Sequence, residues 1–361
     1  MLQKIVILSF IFFSFSSKSQ NLTKIADSIR IKNNIPEMAF AVISATNIIE
    51  KQVIGFHKIS SNIDAEKAKI NDYFHLGSNT KAITGFIAAT LVEQKKLNWN
   101  TKFFDVFPEW KKTSNKEFYD ITLEDLLSHR AHIPSYNSGE EYQKLPEFKG
   151  SPSEKRKQFC EYILKNEPTQ SNSEIYTYSN AGYSIAALML EKATGKSWEV
   201  LIDDILSKKL KLKYKLGWPN RYQLNQPWGH WIENGALIPV PPTDTYHLYL
   251  AEPAGDISMP ITDYAKFIQI NLRGLSGSKA FIKSETYDFL HYGKEEYSIG
   301  WANTNSKKQK TSQHSGSDGT FFSFTQIDYN KKLAYIILIN CATEEAQNAL
   351  FDFLQIMKSK Y

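Results

Sequence analysis

Residues 74–97 read FHLGSNTKAITGFIAATLVEQKKL, and the rest of the chain is best read outward from them. Ala82, Ile83, Phe86, Ile87, Ala89, Leu91 and Val92 recur at helical spacing and cover nearly the whole circumference of a helix over about 79–94. A helix apolar on all sides belongs at the centre of a fold. Ser78-Asn79-Thr80-Lys81 stands at its start. Positions i and i+3 share a helical face, so the lysine amine can reach the serine oxygen. The free N–H groups and dipole of a helix start favour negative charge developing there. Burial lowers the pKa of a lysine, and the neutral amine can then take the proton that a serine hydroxyl must lose to become a nucleophile. A second Ser-x-x-Lys, Ser276-Gly277-Ser278-Lys279, lies in a glycine-bearing loop with no apolar helix behind it and is set aside.

On the N-terminal side, Leu22, Ile25, Ala26 and Ile29 predict a helix over about 22–33, ended by Pro36. Met38 to Ser44 and Ile48 to Phe56 read as a hairpin turning at Thr46-Asn47. On the C-terminal side, Tyr297 to Ala302, Gly319 to Asp328 and Lys332 to Asn340 read as strands, followed by a helix over about 344–358. Between them lie helical patterns at Leu123 to Ser128, Lys155 to Lys165, Ala181 to Thr194 and Trp198 to Leu210, with a loop at Gln226 to Pro242. The pattern predicts an α+β fold: an antiparallel sheet built from both termini and flanked by helices, with an inserted all-helical lobe. The expected sheet lobe is about 20–75 and 262–361, and the helical lobe about 76–261.

Two further motifs carry chemistry. Tyr178-Ser179-Asn180 is the only Tyr-x-Asn in the chain and precedes a helix start. A tyrosinate, or a tyrosine sharing its proton with a lysine, can relay protons, and the asparagine amide can orient the lysine or a substrate. His314-Ser315-Gly316-Ser317 lies just ahead of the third strand pattern; its glycine permits close backbone approach, and the next N–H can face an oxyanion. Taken singly, each reads rather as a plain turn than as part of a site. No glycine-rich nucleotide loop, His-Glu-x-x-His or Cys-x-x-Cys occurs, and no two glycines stand four apart as a lipase-type nucleophile elbow needs. His129 and His132 are three apart with no carboxylate or third histidine placed with them, which reads as a helix end with surface or capping histidines. No cofactor or metal is expected, and chelators are expected to leave activity unchanged.

The chain has 361 residues, 42% of them apolar, enough for a sizeable core. Its first residues read as an export signal: Lys4 ahead of an apolar run from Ile5 to Phe15, then Ser17-Lys18-Ser19 as a cleavage site. The expected mature chain is 20–361, exported to the periplasm or medium and without stable membrane insertion. The net charge of +5 includes Lys4 and Lys18, and the interspersed charges argue against nucleic acid as a partner. A small molecule or peptide is expected as substrate. Cys160 and Cys341 read as two buried free thiols.

Ser-x-x-Lys, Tyr-x-Asn and His-x-Gly, in this order, resemble the three motifs of class C β-lactamases and the related penicillin-binding DD-carboxypeptidases and esterases. The flanks agree: ITLEDLLSH at 121–129, AGYSIAALMLEKATGKSW at 181–198 and YSIGW at 297–301 are similar to family segments, so the resemblance covers about 35–340. It implies a secreted serine acyl-hydrolase. Ser78 is acylated, Lys81 and Tyr178 share the general base, Asn180 orients substrate, and the N–H groups of Ser78 and Ser317 form the oxyanion hole beside His314, Ser315 and Gly316. The substrates implied are a D-amino-acid peptide, a small ester or a β-lactam. The alternative is a penicillin-binding module that is acylated slowly or not at all. Two departures stand out. HRAHIP at 129–134 replaces the family's HTSGLP, which alters the backbone and polarity of that loop. His314 replaces the lysine typical of class C β-lactamases, which points to the carboxypeptidase and esterase branches. Histidine is expected to gain charge toward pH of about 6 and then to favour acidic substrates.

Overall fold

The computed structural model describes residues 22–59, 66–169, 175–278 and 280–361, so the export signal and Lys279 lie outside the described residues. The first helix runs over 22–32. A six-stranded antiparallel sheet follows, its strands in the order Ile48–Gly55, Glu37–Ser44, Leu333–Ile339, Phe322–Asp328, Lys310–Ser317 and Ala302–Asn305. The two ends of the sequence thus meet at the centre of one sheet, with Met38 opposite Ile339 and Ile339 opposite Phe322.

Alternation explains why this sheet has two cores. Met38, Phe40 and Val42, with Tyr335, Ile337 and Ile339, face the 22–32 helix and the last helix, Glu344–Lys360. Phe40 meets Phe353 edge-on at 5.1 Å. Ala39, Ala41 and Ile43, with Ala334, Ile336 and Leu338, face the other way into the larger core. Burying each large aliphatic side chain contributes about 1.5–3 kcal/mol, so a one-residue slip of a central strand would exchange both sets.

The larger core surrounds the helix Thr80–Glu93, in which every residue from Thr80 to Leu91 is buried. The segment 297–301 is a tight turn where a strand was expected. Tyr297 bridges to Ala302, and Ser298 N donates to Trp301 O at 2.8 Å. Gly300 at φ +78° packs against the central helix, and a Cβ there would lie 2.7 Å from Ala82 Cα. The inserted region carries helices Leu123–Leu127, Pro152–Lys165 and Asn180–Thr194, and Trp198–Ile202 continues as a wider turn over Asp203–Lys209. The expected 226–242 loop contains a hairpin of His230–Glu233 with Ala236–Pro239. Tyr73–His75 pairs with Ile257–Pro260, which delivers the chain straight to Ser78. Cys160 and Cys341 are free and buried. Among the described residues no helix is long and apolar enough to cross a membrane.

Candidate active site

Ser78 sits on the short 3-10 turn Gly77–Asn79 that opens the central helix. Asn79 anchors this turn: its Nδ2 donates to Ser323 Oγ at 2.7 Å, and its Oδ1 accepts from Tyr264 Oη at 3.0 Å. Ser323 Oγ in turn donates to Leu76 O at 2.6 Å. The nucleophile turn is therefore bolted to the strand Phe322–Asp328 rather than held by the helix alone.

Lys81 is fully buried, with Nζ 3.0 Å from Ser78 Oγ, 2.6 Å from Asn180 Oδ1 and 3.0 Å from Ala254 O. Burial holds its pKa well below the usual lysine range. The three partners match a neutral amine. Asn180 Oδ1 and Ala254 O can only accept and take its two N–H groups, which leaves the lone pair for the Ser78 hydroxyl. Asn180 Nδ2 donates to Tyr136 O at 3.0 Å, which fixes the amide with its oxygen toward the lysine. Asn180 is the first residue of its helix, and Ser179 caps it by accepting from Gly182 N at 3.0 Å.

Tyr178 lies beside this pair. Its ring centroid is 4.6 Å from Lys81 Nζ. Burial raises its pKa, and a hydrogen bond with Ser78 only partly offsets this. The resting side chain is thus a neutral phenol, not the tyrosinate that was one sequence-based option. Its ring packs 4.3 Å from that of His129, and His129 Nδ1 accepts from Ser179 N at 3.1 Å. His129 is buried rather than at the surface, and the N–H it accepts belongs to the residue that caps the Asn180–Thr194 helix. Desolvation, and then the nearby Lys81, hold its pKa well below the usual histidine range.

His314, Ser315, Gly316 and Ser317 form the last residues of the strand Lys310–Ser317, with His314 and Gly316 buried and Ser315 and Ser317 exposed. Gly77 and Gly316 make the close approach between this strand and the nucleophile turn. A Cβ on Gly77, which has φ +50°, would lie 2.4 Å from Ser317 N, and one on Gly316 would lie 2.5 Å from Ser78 N. The strand end and the nucleophile turn can approach this closely only because neither glycine carries a side chain.

His314 differs from its expected behaviour. Nδ1 lies 2.5 Å from Ser315 O, so it carries the proton, and Nε2 is 2.9 Å from Tyr297 Oη and accepts from it. Burial, then the proximity of Lys81, pushes its pKa down to about 3. It therefore gains no charge near pH of about 6, and the expected acid-side gain for acidic substrates has no basis here. Tyr297, which sequence reading did not single out, was visible only within the YSIGW segment. Its turn is held by Arg130, whose guanidinium donates to Tyr297 O at 2.7 Å, Glu295 O at 2.7 Å and Ser128 O at 2.9 Å. The HRAHIP departure thus serves to tie the 128–130 corner to the 295–297 turn. His132 holds φ +51° where the family pattern has glycine.

The described residues bring Ser78, Lys81, Tyr178, Asn180 and the 314–317 strand end to one place; Ser276 instead caps a helix end, its Oγ on Leu272 O at 2.8 Å.

The family model described as Beta-lactamase matches residues 21–355. Protein flp of Staphylococcus aureus (strain MW2) is 21% identical over 341 residues, 91% of this chain; the chain spans only 64% of that relative's length. The N-acetylmuramyl-L-alanine amidase of Bacillus subtilis (strain 168) is 30% identical over 213 residues, 56% of this chain and 47% of the amidase. The octameric penicillin-binding protein homologue from Pyrococcus abyssi superimposes with a TM-score of 0.74 at 18% identity, covering 94% of this chain and 77% of that one. The class C beta lactamase from Rhodobacter sphaeroides does so with a TM-score of 0.69 at 15% identity, covering 93% and 99%. At these identities the structural likeness is one of fold.

Proposed function

The chain belongs to the beta-lactamase family, whose chemistry is that of serine acyl-hydrolases, and from that premise we propose that it cleaves an ester or amide through a covalent acyl-serine at Ser78. The observation that carries the reading is the buried Lys81 amine, 3.0 Å from Ser78 Oγ with its two other contacts occupied by acceptors. Lys81 takes the hydroxyl proton as Ser78 Oγ bonds to the substrate carbonyl carbon. The carbonyl oxygen gains its negative charge against the N–H groups of Ser78 and Ser317. Tyr178, a neutral phenol at rest, hands a proton to the departing oxygen or nitrogen and recovers one from Lys81. Water then attacks the acyl carbon as it gives a proton to the neutral Lys81 amine, which returns that proton to Ser78 Oγ as the acyl–oxygen bond breaks.

The substrate class follows from His314. A lysine there would supply a standing positive charge for a substrate carboxylate, whereas the neutral His314 ring spends both nitrogens on Tyr297 and Ser315. Neutral short-chain esters and amides are favoured over penicillins, and the amide bond named for the Bacillus subtilis N-acetylmuramyl-L-alanine amidase is a candidate where no carboxylate has to be held beside His314. The apolar run and small residues of 1–19 support export of the mature chain. The test is kcat/KM for a neutral aryl ester and for a penicillin at pH 7.5 and at pH 6.0 (about one unit on either side of an ordinary histidine). The ester should be preferred at both, with the ratio unchanged. A penicillin turned over as well as the ester, or a ratio that swings toward penicillin at the lower pH, would contradict this specificity.

A further inference from the structure

Glu37, His57 and Asp72 come together at the start of the Glu37–Ser44 strand, all three buried, and offer ligand atoms within 4.8 Å of one another. Each comes from a fixed place. Glu37 opens its strand, and its N–H donates to Asn340 Oδ1 at 2.8 Å. His57 is held through its backbone oxygen, which accepts from Asn340 Nδ2 at 2.9 Å and Trp228 N at 2.9 Å. Asp72 accepts from Lys69 N and lies with Oδ2 2.9 Å from His57 Nε2.

The arrangement is unbalanced. Glu37 is 0% exposed, and among the described residues its side-chain oxygens meet no donor, only the facing Asp72 carboxyl, with which a hydrogen bond requires a shared proton. The group facing it is the Asp72 carboxyl, which as a carboxylate can also only accept. Two facing buried carboxyls need a proton or a cation between them. Two features favour a cation. One imidazole nitrogen and two carboxylates form a donor set suited to zinc or a similar first-row divalent ion. His57 Nδ1 lies 3.8 Å from Glu66 Oε2, beyond hydrogen-bond range and without a hydrogen-bond partner among the described residues, yet near enough for that carboxylate to swing in and orient the ring when Nε2 ligates a metal.

We propose that Glu37, His57 and Asp72 hold a divalent transition-metal ion, with His57 ligating through Nε2 and Glu66 steadying its ring. The ion ties the start of the Glu37–Ser44 strand to the 66–72 segment, which leads directly into Tyr73–His75 and the Ser78 turn. Its role is structural. Glu37 stands beside Met38, and the register Met38–Ile339–Phe322–Ser317 puts it three strand spacings, roughly 14 Å, from the catalytic end of the 310–317 strand.

Stripping the full chain with EDTA and titrating it with zinc chloride, by calorimetry and by elemental analysis after gel filtration, tests this. The expected result is one zinc per chain and a raised melting temperature. Glu37→Gln and His57→Gln should each weaken binding by about 100-fold or more and remove the thermal response, while EDTA-treated parent should retain its ester turnover at room temperature. If the parent binds no stoichiometric zinc, a shared proton alone holds the pair and the inference fails. It fails equally if both variants bind as the parent does, or if EDTA stops turnover in protein that remains folded. Should a variant not fold, the stoichiometry of the parent decides.

Discussion

Replacing Asn180 by Asp changes almost no volume but sets a carboxylate where an amide oxygen now lies 2.6 Å from Lys81 Nζ. A full negative charge at that distance stabilises the ammonium form. At an effective dielectric constant of about 20 the attraction at this separation is about 6 kcal/mol, an upper bound of roughly five pKa units at 1.36 kcal/mol each; measured shifts for such pairs span about 1–3 units, and that range is the one expected. Lys81 acts as a base only when deprotonated, and its pKa is now depressed by burial. Raising it moves the acid limb of the pH–rate profile upward by the same amount. Below the new limb kcat/KM falls about tenfold per unit, so Asn180→Asp should be about 10- to 1000-fold slower at a pH just above the parent's limb and should recover as pH rises. Asn180→Ala is the control: it removes the acceptor without adding charge, so its rate should drop without an upward shift of the limb. The assay is kcat/KM for a neutral aryl ester from pH 4 to 10 (a span bracketing the lysine and carboxylate ranges), with folding checked by circular dichroism, because the amide's bond to Tyr136 O is lost. A limb that stays in place in Asn180→Asp would refute Lys81 as the base.

Tyr178→Phe should cost about 10²- to 10⁴-fold in kcat, the usual yield of acid–base catalysis, with little change in KM because the ring remains; an unchanged kcat in steady-state assays would leave Lys81 working alone. Gly316→Ala places a Cβ 2.1 Å from Leu76 O and 2.5 Å from Ser78 N. It should cost at least the 10²- to 10³-fold typical of one lost oxyanion donor, and parent-like turnover would place the oxyanion elsewhere. His291 is buried between Ser312 Oγ at 2.7 Å and Asn271 Oδ1 at 3.2 Å, and burial, then Lys310, pushes it down to about 3. An unfolded histidine takes up its proton near pH of about 6.5, so between about 6.5 and about 3 the unfolded chain binds the extra proton and His291 costs stability as pH falls. In urea unfolding, His291→Gln should flatten that decline by about 1.4 kcal/mol per pH unit relative to the parent; parallel pH profiles would show that His291 titrates normally.

Much of the architecture was legible because its signals are local and apolar. The all-round apolar helix after Ser78, the Met38–Phe56 hairpin and the strand 333–339 each announce themselves by what they bury. The strand Lys310–Ser317 did not. KTSQHSGS holds no aliphatic residue, and it is extended because Phe322–Asp328 pairs with it, which is a fact about the partner and not about its own composition. The 297–301 turn was misread as a strand for the opposite reason: Tyr297, Ile299 and Trp301 alternate, yet all three are buried around a bend set by Gly300 against the central helix. At the site, sequence order sufficed to name Ser78, Lys81, Tyr178, Asn180 and the 314–317 motif as candidates. It could not reveal that Tyr297 and Ser315 O hold His314 neutral, or that Arg130 steadies that turn from 167 residues away.

The central claim is an acyl group on Ser78, and intact-protein mass spectrometry of enzyme quenched during turnover of an aryl ester tests it most directly. The account predicts one acyl group per chain, mapped to the peptide containing Ser78, decaying as substrate is exhausted and absent from a folded, inactive Ser78→Ala protein. An adduct on another residue, or undiminished turnover by Ser78→Ala, would contradict it.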